Sequence, residues 1–204
     1  MNVPNILTIL RALLVPVFIS VLIYLEPFPA ACGFIAAAVF GITSLTDMLD
    51  GKIARKYNLV TTFGKVMDPL ADKFMVFSAM ISITVKFFIL SGKSDAGVNE
   101  RVLANVLLWV TTIVVLRELA VTSVRLVSAQ GGGGVIPANF FGKAKTVTQI
   151  IAILIVLLEY AINVGFGVNT LWIASYISLA LMTFMTVASG VNYFVLNAKY
   201  FKTK

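Results

Sequence analysis

Four aspartates lie close together in a chain that otherwise carries few charges. The stretch TDMLDGKIARKYNLVTTFGKVMDPLADK, residues 46 to 73, contains Asp47, Asp50, Asp68 and Asp72, four of the nine acidic residues among 204. Side chains three or four positions apart share one face of a helix, so each half of the stretch presents a pair of carboxylates. Four carboxylates that converge at one depth repel one another unless cations lie among them. The spacing therefore predicts a cation site.

The residue types present limit which cation this is. The chain has no histidine and one cysteine, Cys32, which excludes a Cys/His zinc site, a disulfide framework and a histidine general base. Ligands made of oxygen alone favour Mg²⁺, with Mn²⁺ or Ca²⁺ as substitutes, and four carboxylates can bridge two ions about 3.5 to 4 Å apart. Such a pair suits displacement at phosphorus, because one ion polarises the attacking oxygen while the other neutralises the leaving phosphate.

An alternative is that the aspartates are helix caps or solvated surface charges. This suits Asp68, which precedes Pro69 at a helix start, where negative charge is favourable. It does not suit Asp47 and Asp50, which fall at the end of their helix, where the helix dipole disfavours negative charge. We therefore favour the cation site.

Small and basic residues beside the aspartates favour a phosphate ligand. Gly51 and Gly64 carry no side chain, so a diphosphate or nucleotide could approach the backbone there. Arg55 offers a planar fork for a phosphate oxygen. The alternative for each glycine is close packing between membrane helices.

The elements that must hold these residues are membrane helices. The chain is 59% hydrophobic and 12% charged, whereas globular domains carry about 25% charged residues. Apolar stretches of about twenty residues, each long enough to cross about 30 Å of hydrocarbon, fill nearly all of it. We expect one all-α membrane domain, residues 1–204, with six transmembrane helices near residues 5–25, 30–51, 67–90, 103–127, 144–164 and 170–196.

Lysine and arginine are distributed unevenly between the two sides of this bundle. If the N-terminus is cytoplasmic, the segments near residues 52–66, 128–145 and 197–204 carry nine of them, and the opposite side has Lys93 and Arg101 and little else. Basic loops stay on the cytoplasmic side, so we expect both termini and the aspartates at the cytoplasmic face of the cell membrane. An anionic leaflet explains the net charge of +7 without a nucleic acid partner.

The aspartate stretch spells the signature D-x2-D-G-x2-A-R-x8-G-x3-D-x3-D without a gap. Its eight fixed positions are Asp47, Asp50, Gly51, Ala54, Arg55, Gly64, Asp68 and Asp72. By this motif the chain resembles the CDP-alcohol phosphatidyltransferases, integral membrane enzymes with six transmembrane helices. The resemblance implies that an acceptor hydroxyl attacks the β-phosphorus of a CDP-linked lipid and that CMP is released.

The resemblance also implies a role for each residue of the motif. Asp47, Asp50 and Asp68 would be metal ligands, and Asp72 would be the general base while also touching metal. The residues along the CDP moiety would be Gly51, Ala54, Arg55 and Gly64. A carboxylate can serve as this base, because a hydroxyl whose oxygen lies near a metal gives up its proton more readily.

The remaining charges within the spans bear on which acceptor is used. The fourth span contains Arg117, Glu118 and Arg125, and the fifth opens with Lys143 and Lys145. Ionisable side chains inside a membrane are expensive and indicate a functional site, so the four cations are candidates for an anion pocket facing the aspartates. That pocket favours an acceptor that itself bears phosphate. The alternative is a structural Arg117 to Glu118 pair, or side chains that extend to the headgroups.

Two further segments resemble one branch of the family, the phosphatidylglycerophosphate synthases. They are the opening NVPNILTILR and the sequence RELAVTSVR in the fourth span. That branch uses CDP-diacylglycerol as donor and glycerol 3-phosphate as acceptor. Asn5 and Thr8 would then contact the nucleotide, although a Pro-Asn-x-x-Thr start also suits a helix cap. Relatives are commonly homodimers through their membrane helices, while the sequence itself leaves the oligomeric state open.

Three rival functions remain open. The first is the same chemistry on inositol phosphate, serine or an amino alcohol, but an uncharged acceptor leaves the basic cluster unexplained. The second is a divalent-cation transporter that uses the carboxylates as an ion path. It would need polar residues at both faces of the bilayer, and we expect the outer halves of the spans to be almost wholly apolar. A non-catalytic relative, the third, would not need all eight motif positions.

Overall fold

Six α-helices make up the structure, which is a computed structural model. It describes the backbone of residues 3–56, 62–93, 97–130 and 140–197, and the side chains of residues 10–46, 73–93, 97–124 and 141–196. The helices are α1 (Val3–Tyr24), α2 (Pro29–Lys56), α3 (Thr62–Ser91), α4 (Val98–Gln130), α5 (Phe140–Phe166) and α6 (Ile173–Asn197). The all-α prediction is confirmed. Helices α2 to α5 extend beyond their predicted spans, because polar residues continue each helix past its apolar segment.

The apolar segments of these helices are those of an integral membrane protein. In the described part of the chain, five are long and apolar enough to cross a membrane, namely Pro29–Thr46, Lys73–Ser91, Val98–Val124, Phe141–Phe166 and Ile173–Leu196. Helix α1 contributes a shorter one, Leu10–Tyr24. Large apolar side chains such as Trp109 lie on the outside, where lipid would cover them. A sixth span and the cytoplasmic position of both termini stay predictions.

Successive helices run in opposite directions, which gives the bundle two distinct ends. At one end, Lys93 Nζ donates to Glu26 Oε1 at 3.0 Å, and Trp172 Nε1 donates to Glu100 Oε1 at 3.4 Å. The hydrogen bond from Lys93 holds the pKa of the Glu26 carboxyl below its usual value. We call this the outer end, after the predicted topology, and the opposite end, where α2 stops and α3 begins, the inner end.

Helix α5 packs against α2 and α6, while α1 packs on α2 and α3, and α4 on α3 and α6. Contacts between aromatic rings join α3 to α5 and to the start of α6 in the outer half. The Phe87 ring meets Trp172 edge-on with centroids 5.1 Å apart, and it meets Tyr160 at 5.9 Å. Such edge-to-face contacts add to the burial of large rings and fix α3 against α5 and the start of α6.

Two buried charges among the described side chains depart from the expectation that the outer halves are almost wholly apolar. Glu159 is buried, and its carboxylate accepts hydrogen bonds from Ser175 N at 2.7 Å, Ser175 Oγ at 2.6 Å and the Thr170 hydroxyl. Lys86 is also buried, and its Nζ donates to Leu22 O at 2.9 Å in the last turn of α1. An anion at a helix start and a cation at a helix end are both stabilised by the helix dipole. Both charges are therefore bound at helix ends, Glu159 at the start of α6 and Lys86 at the end of α1.

Helices α2 and α5 approach closely through two glycines. A Cβ atom on Gly33 would lie 2.6 Å from Ala161 Cβ and 2.7 Å from Leu157 O, and one on Gly165 would lie 2.6 Å from Ala30 Cα. No side chain fits at these distances. Small residues let membrane helices come this close and gain van der Waals contact along their backbones.

We expect Gly33→Ala to lower the midpoint of thermal unfolding in detergent, at a cost of about 1 to 3 kcal/mol, because α2 and α5 must move apart. Gly41→Ala is the matched control on the same helix, since a Cβ there would lie 3.7 Å from Leu154 Cδ2, an ordinary contact. That variant should keep or raise the midpoint, because alanine favours a helix more than glycine does. Equal midpoints for the two variants would contradict the close approach.

Candidate functional site

The first half of the aspartate motif lies at the inner end of α2. Phe40 and Thr43 are buried on this helix, and Asp47 and Asp50 follow Thr43 by four and seven residues. Intervals of three, four and seven residues keep to one face of a helix. The two aspartate positions therefore continue the buried face of α2 towards the inner end.

The second half of the motif has the same relation to α3. Its buried Met75 follows Asp72 by three residues and Asp68 by seven. Met75 and Thr43 line one small cavity between α1, α2 and α3. Asp47 and Asp72 each lie one turn beyond that cavity, so the two halves of the motif reach the inner end at the same level.

Helix α1 adds a buried cation near this level, which the predicted site did not include. Arg11 is 2% exposed, and it lies one turn beyond Leu14 and Val15, which line the same cavity. The sequence could have pointed to Arg11 through its charge within an apolar helix, because ionisable groups inside a membrane helix rarely lack a function.

Most of the predicted site residues lie on described helices, but their side chains fall outside the described ones. On α2 and α3 these are Asp47, Asp50, Gly51, Ala54, Arg55, Gly64, Asp68 and Asp72; on α1 they are Asn5 and Thr8; on α4 it is Arg125. The roles predicted for all of them stay predictions.

A buried ion network joins α4 to α5 at the inner end. Arg117 Nη1 donates to Glu118 Oε1 at 2.8 Å, and Lys145 Nζ donates to the same oxygen. The side chains of Glu118 and Lys145 are 10% exposed and that of Arg117 is 13% exposed. Two of the four cations predicted for an anion pocket are thus brought together, with one carboxylate between them. Lys143, two residues from Lys145, is exposed and lies outside this network.

Helix α6 holds the Arg117 guanidinium from another side. Arg117 Nη2 donates to Ser189 Oγ at 2.8 Å, and Ser189 Oγ donates to Thr186 O at 2.9 Å. A Cβ on Gly190 would lie 3.2 Å from Arg117 Cγ, so the missing side chain lets the arginine lie along the α6 backbone. Ser189 and Gly190 could not be recognised from the sequence, since serine and glycine are ordinary residues in membrane helices.

Two buried nitrogens beside this network have no hydrogen-bond partner within the described part of the chain. They are Arg117 Nε and Gln149 Nε2, the latter one turn along α5 from Lys145. A buried donor without an acceptor costs about 1 to 3 kcal/mol, and more for a charged group. Glu118 and Ser189 therefore hold the Arg117 guanidinium through Nη1 and Nη2, and Nε keeps one N–H donor that no acceptor in the described part of the chain uses.

The residues at the inner end offer two kinds of chemistry. The four aspartates lie on α2 and α3 towards this end, and they offer only oxygen ligands, the type that a hard divalent cation prefers. Among the described side chains no group of three carboxylates or cysteines occurs, and the aspartates are not among those side chains. The Arg117 and Lys145 network, with its available N–H, fits a phosphate group.

Comparisons with known proteins cover nearly the whole chain. A family model described as CDP-alcohol phosphatidyltransferase matches residues 1–191. The chain is 38% identical to the CDP-diacylglycerol–glycerol-3-phosphate 3-phosphatidyltransferase of Bacillus subtilis, over 99% of this chain and 98% of that protein. It is 35% identical to a probable phosphatidylglycerophosphate synthase of Mycobacterium tuberculosis, over 94% and 79% of the two chains.

A protein of Rickettsia bellii that shares its name with the Bacillus subtilis protein is 35% identical over 98% of this chain and 97% of its own length. The region matched by the family model includes both the aspartate motif and the network of Arg117, Glu118, Lys145 and Ser189.

Proposed function

We propose that this chain, which belongs to the CDP-alcohol phosphatidyltransferase family, transfers the phosphatidyl group of CDP-diacylglycerol to glycerol 3-phosphate. The products are phosphatidylglycerophosphate and CMP. The observation that carries the proposal is the pairing, at one end of the bundle, of a complete aspartate motif with buried cations suited to a phosphate. Relatives named for these two substrates match the chain from end to end, which supports the choice of acceptor.

The aspartates form the catalytic half of the site. Asp47, Asp50 and Asp68 would hold two Mg²⁺ ions, or Mn²⁺ in their place, and Asp72 would also contact the metal. The bound ions would supply neutralisation of the charge on the donor diphosphate. Asp72 accepts the proton of the acceptor hydroxyl. The hydroxyl oxygen forms a bond to the β-phosphorus, while the bond from that phosphorus to CMP breaks.

The nucleotide of the donor lies along the inner ends of α1, α2 and α3. The residues assigned to it are Gly51, Ala54, Arg55 and Gly64, with Asn5 and Thr8. The packing of α1 on both α2 and α3 supports this assignment, because it brings the start of α1 to the same end as the motif. The acyl chains stay in the bilayer while the charged head reaches the cytoplasmic interface, which agrees with the positive-inside bias of the sequence.

The acceptor phosphate binds at Arg117 and Lys145, with Arg125 and Lys143 nearer the surface. Glu118 keeps the two buried cations compensated when no acceptor is present. A phosphate oxygen gives the buried Arg117 Nε an acceptor, which it lacks within the described part of the chain. An amino alcohol has no anionic oxygen to accept from Arg117, and serine has one carboxylate next to its own ammonium group, so buried cations favour glycerol 3-phosphate over both.

Purified protein should release CMP and form phosphatidylglycerophosphate when it is given CDP-diacylglycerol, Mg²⁺ and glycerol 3-phosphate. Inositol phosphate, serine or an amino alcohol should each give at least about tenfold less CMP, because the site is built for a different acceptor. Chelation of the metal should stop the reaction. CMP release with inositol phosphate but not with glycerol 3-phosphate would refute the assigned acceptor.

Asp72→Asn should lower turnover by about 10²- to 10⁴-fold, since a general base contributes that much, while CDP binding is largely kept. Glu26→Gln, at the exposed outer end, is the carboxylate control and should keep normal turnover. The two measurements are the rate of CMP release under single-turnover conditions and the CDP affinity by calorimetry. Normal turnover of Asp72→Asn would remove this residue from the role of base.

Lys145→Gln should raise the KM for glycerol 3-phosphate about tenfold or more and leave the KM for CDP-diacylglycerol unchanged, because a charge-assisted hydrogen bond to phosphate is lost. Lys143→Gln, nearer the surface on the same helix, should raise the KM for glycerol 3-phosphate by a smaller factor, since Lys143 is exposed. Equal effects of the two substitutions would speak against a buried phosphate site at Lys145.

A further inference from the structure

We infer that Lys73 and Thr122 are positioning residues, which hold the aspartate-bearing helix α3 at a fixed place beside α4. Lys73 Nζ donates to Thr122 Oγ1, and Thr122 Oγ1 donates to Glu118 O at 2.7 Å. The direction of these bonds is unambiguous, because an ammonium group can only donate and a carbonyl can only accept. The inference rests on the proposed function.

The two residues connect the two halves of the proposed site. Lys73 directly follows Asp72, the proposed base. Thr122 lies one turn after Glu118, whose carboxylate binds Arg117 and Lys145. The path from the base to the acceptor network therefore runs from Asp72 to the adjacent Lys73, through a hydrogen bond to Thr122, and through a second hydrogen bond to the backbone of Glu118.

The reaction requires a fixed position of α3 relative to α4. The acceptor oxygen must meet both the β-phosphorus and Asp72, yet the groups proposed to hold the acceptor come from α4 and α5, and the base comes from α3. A misplacement of about 1 Å between reacting groups can cost about a hundredfold in rate. A lysine and a threonine that fix α3 against α4 at this level thus act on the rate without touching the substrates.

A second hydrogen bond between the same helices provides a control. Thr84 Oγ1 and Thr111 Oγ1 lie 2.9 Å apart, and both residues are buried. Thr84 lies eleven residues after Lys73 on α3, and Thr111 lies eleven residues before Thr122 on α4. Both threonines are therefore about 16 Å nearer the outer end. This bond joins α3 to α4 with similar chemistry but far from the motif.

The test compares Thr122→Val, Thr122→Ser and Thr111→Val in the CMP-release assay, with thermal unfolding measured on each. Valine keeps the shape of threonine and removes the hydroxyl, so Thr122→Val should lower kcat about tenfold or more, with both KM values within about twofold of wild type. Thr122→Ser keeps the hydroxyl and should retain most of the activity. Thr111→Val should keep kcat even if its unfolding midpoint falls as far as that of Thr122→Val.

A second pair of variants guards against misfolding of Thr122→Val. Lys73→Gln should show the same loss of kcat, and the double variant Lys73→Gln with Thr122→Val should be no worse than Lys73→Gln alone, because both remove the same link. Wild-type kcat in Thr122→Val, a change in KM alone, or an equal loss of kcat in Thr111→Val would each overturn the inference. Failure of the wild-type protein to release CMP would instead refute the proposed function.

Discussion

One carboxylate oxygen, Glu118 Oε1, accepts hydrogen bonds from both Arg117 and Lys145, and the inner end of the bundle is organised around it. Burying a single unpaired charge inside a membrane protein costs free energy, and here the carboxylate and the two cations offset this cost for one another. The same turn of α4 is bound to α6 through Ser189 and to α3 through Thr122. Three neighbouring helices are thus fixed relative to one short segment.

The two ends of the bundle use buried charge differently. At the outer end, Glu159 and Lys86 are matched to the dipoles and unpaired backbone groups of helix ends. At the inner end, Arg117 and Lys145 bind a side-chain carboxylate, and Arg117 Nε has no hydrogen-bond partner within the described part of the chain. Buried charge at the outer end thus serves the helix ends, while buried charge at the inner end joins side chains of different helices.

The sequence predicted what depends on local pattern. Apolar length indicated the helices, which the structure confirms. The spacing of the aspartates indicated a shared helix face, and this stays a prediction, since their side chains lie outside the described ones. The difference between Lys143 and Lys145 depends on how α5 is rotated against its neighbours, and no local pattern encodes that rotation.

Ser189 and Thr122 were equally hidden from the sequence. Hydroxyls in helices commonly bond a carbonyl of the preceding turn, as Thr112 and Thr183 do here. Only the packed structure reveals which hydroxyls also contact another helix.

The hydrogen bond from Arg117 to Ser189 joins residues 72 positions apart. The chain is synthesised from its N-terminus, so Arg117 is made before its serine partner. Until Ser189 is in place, the arginine charge has to rely on Glu118, water or lipid headgroups. The contact between α4 and α6 is therefore among the last of these contacts that biosynthesis can complete.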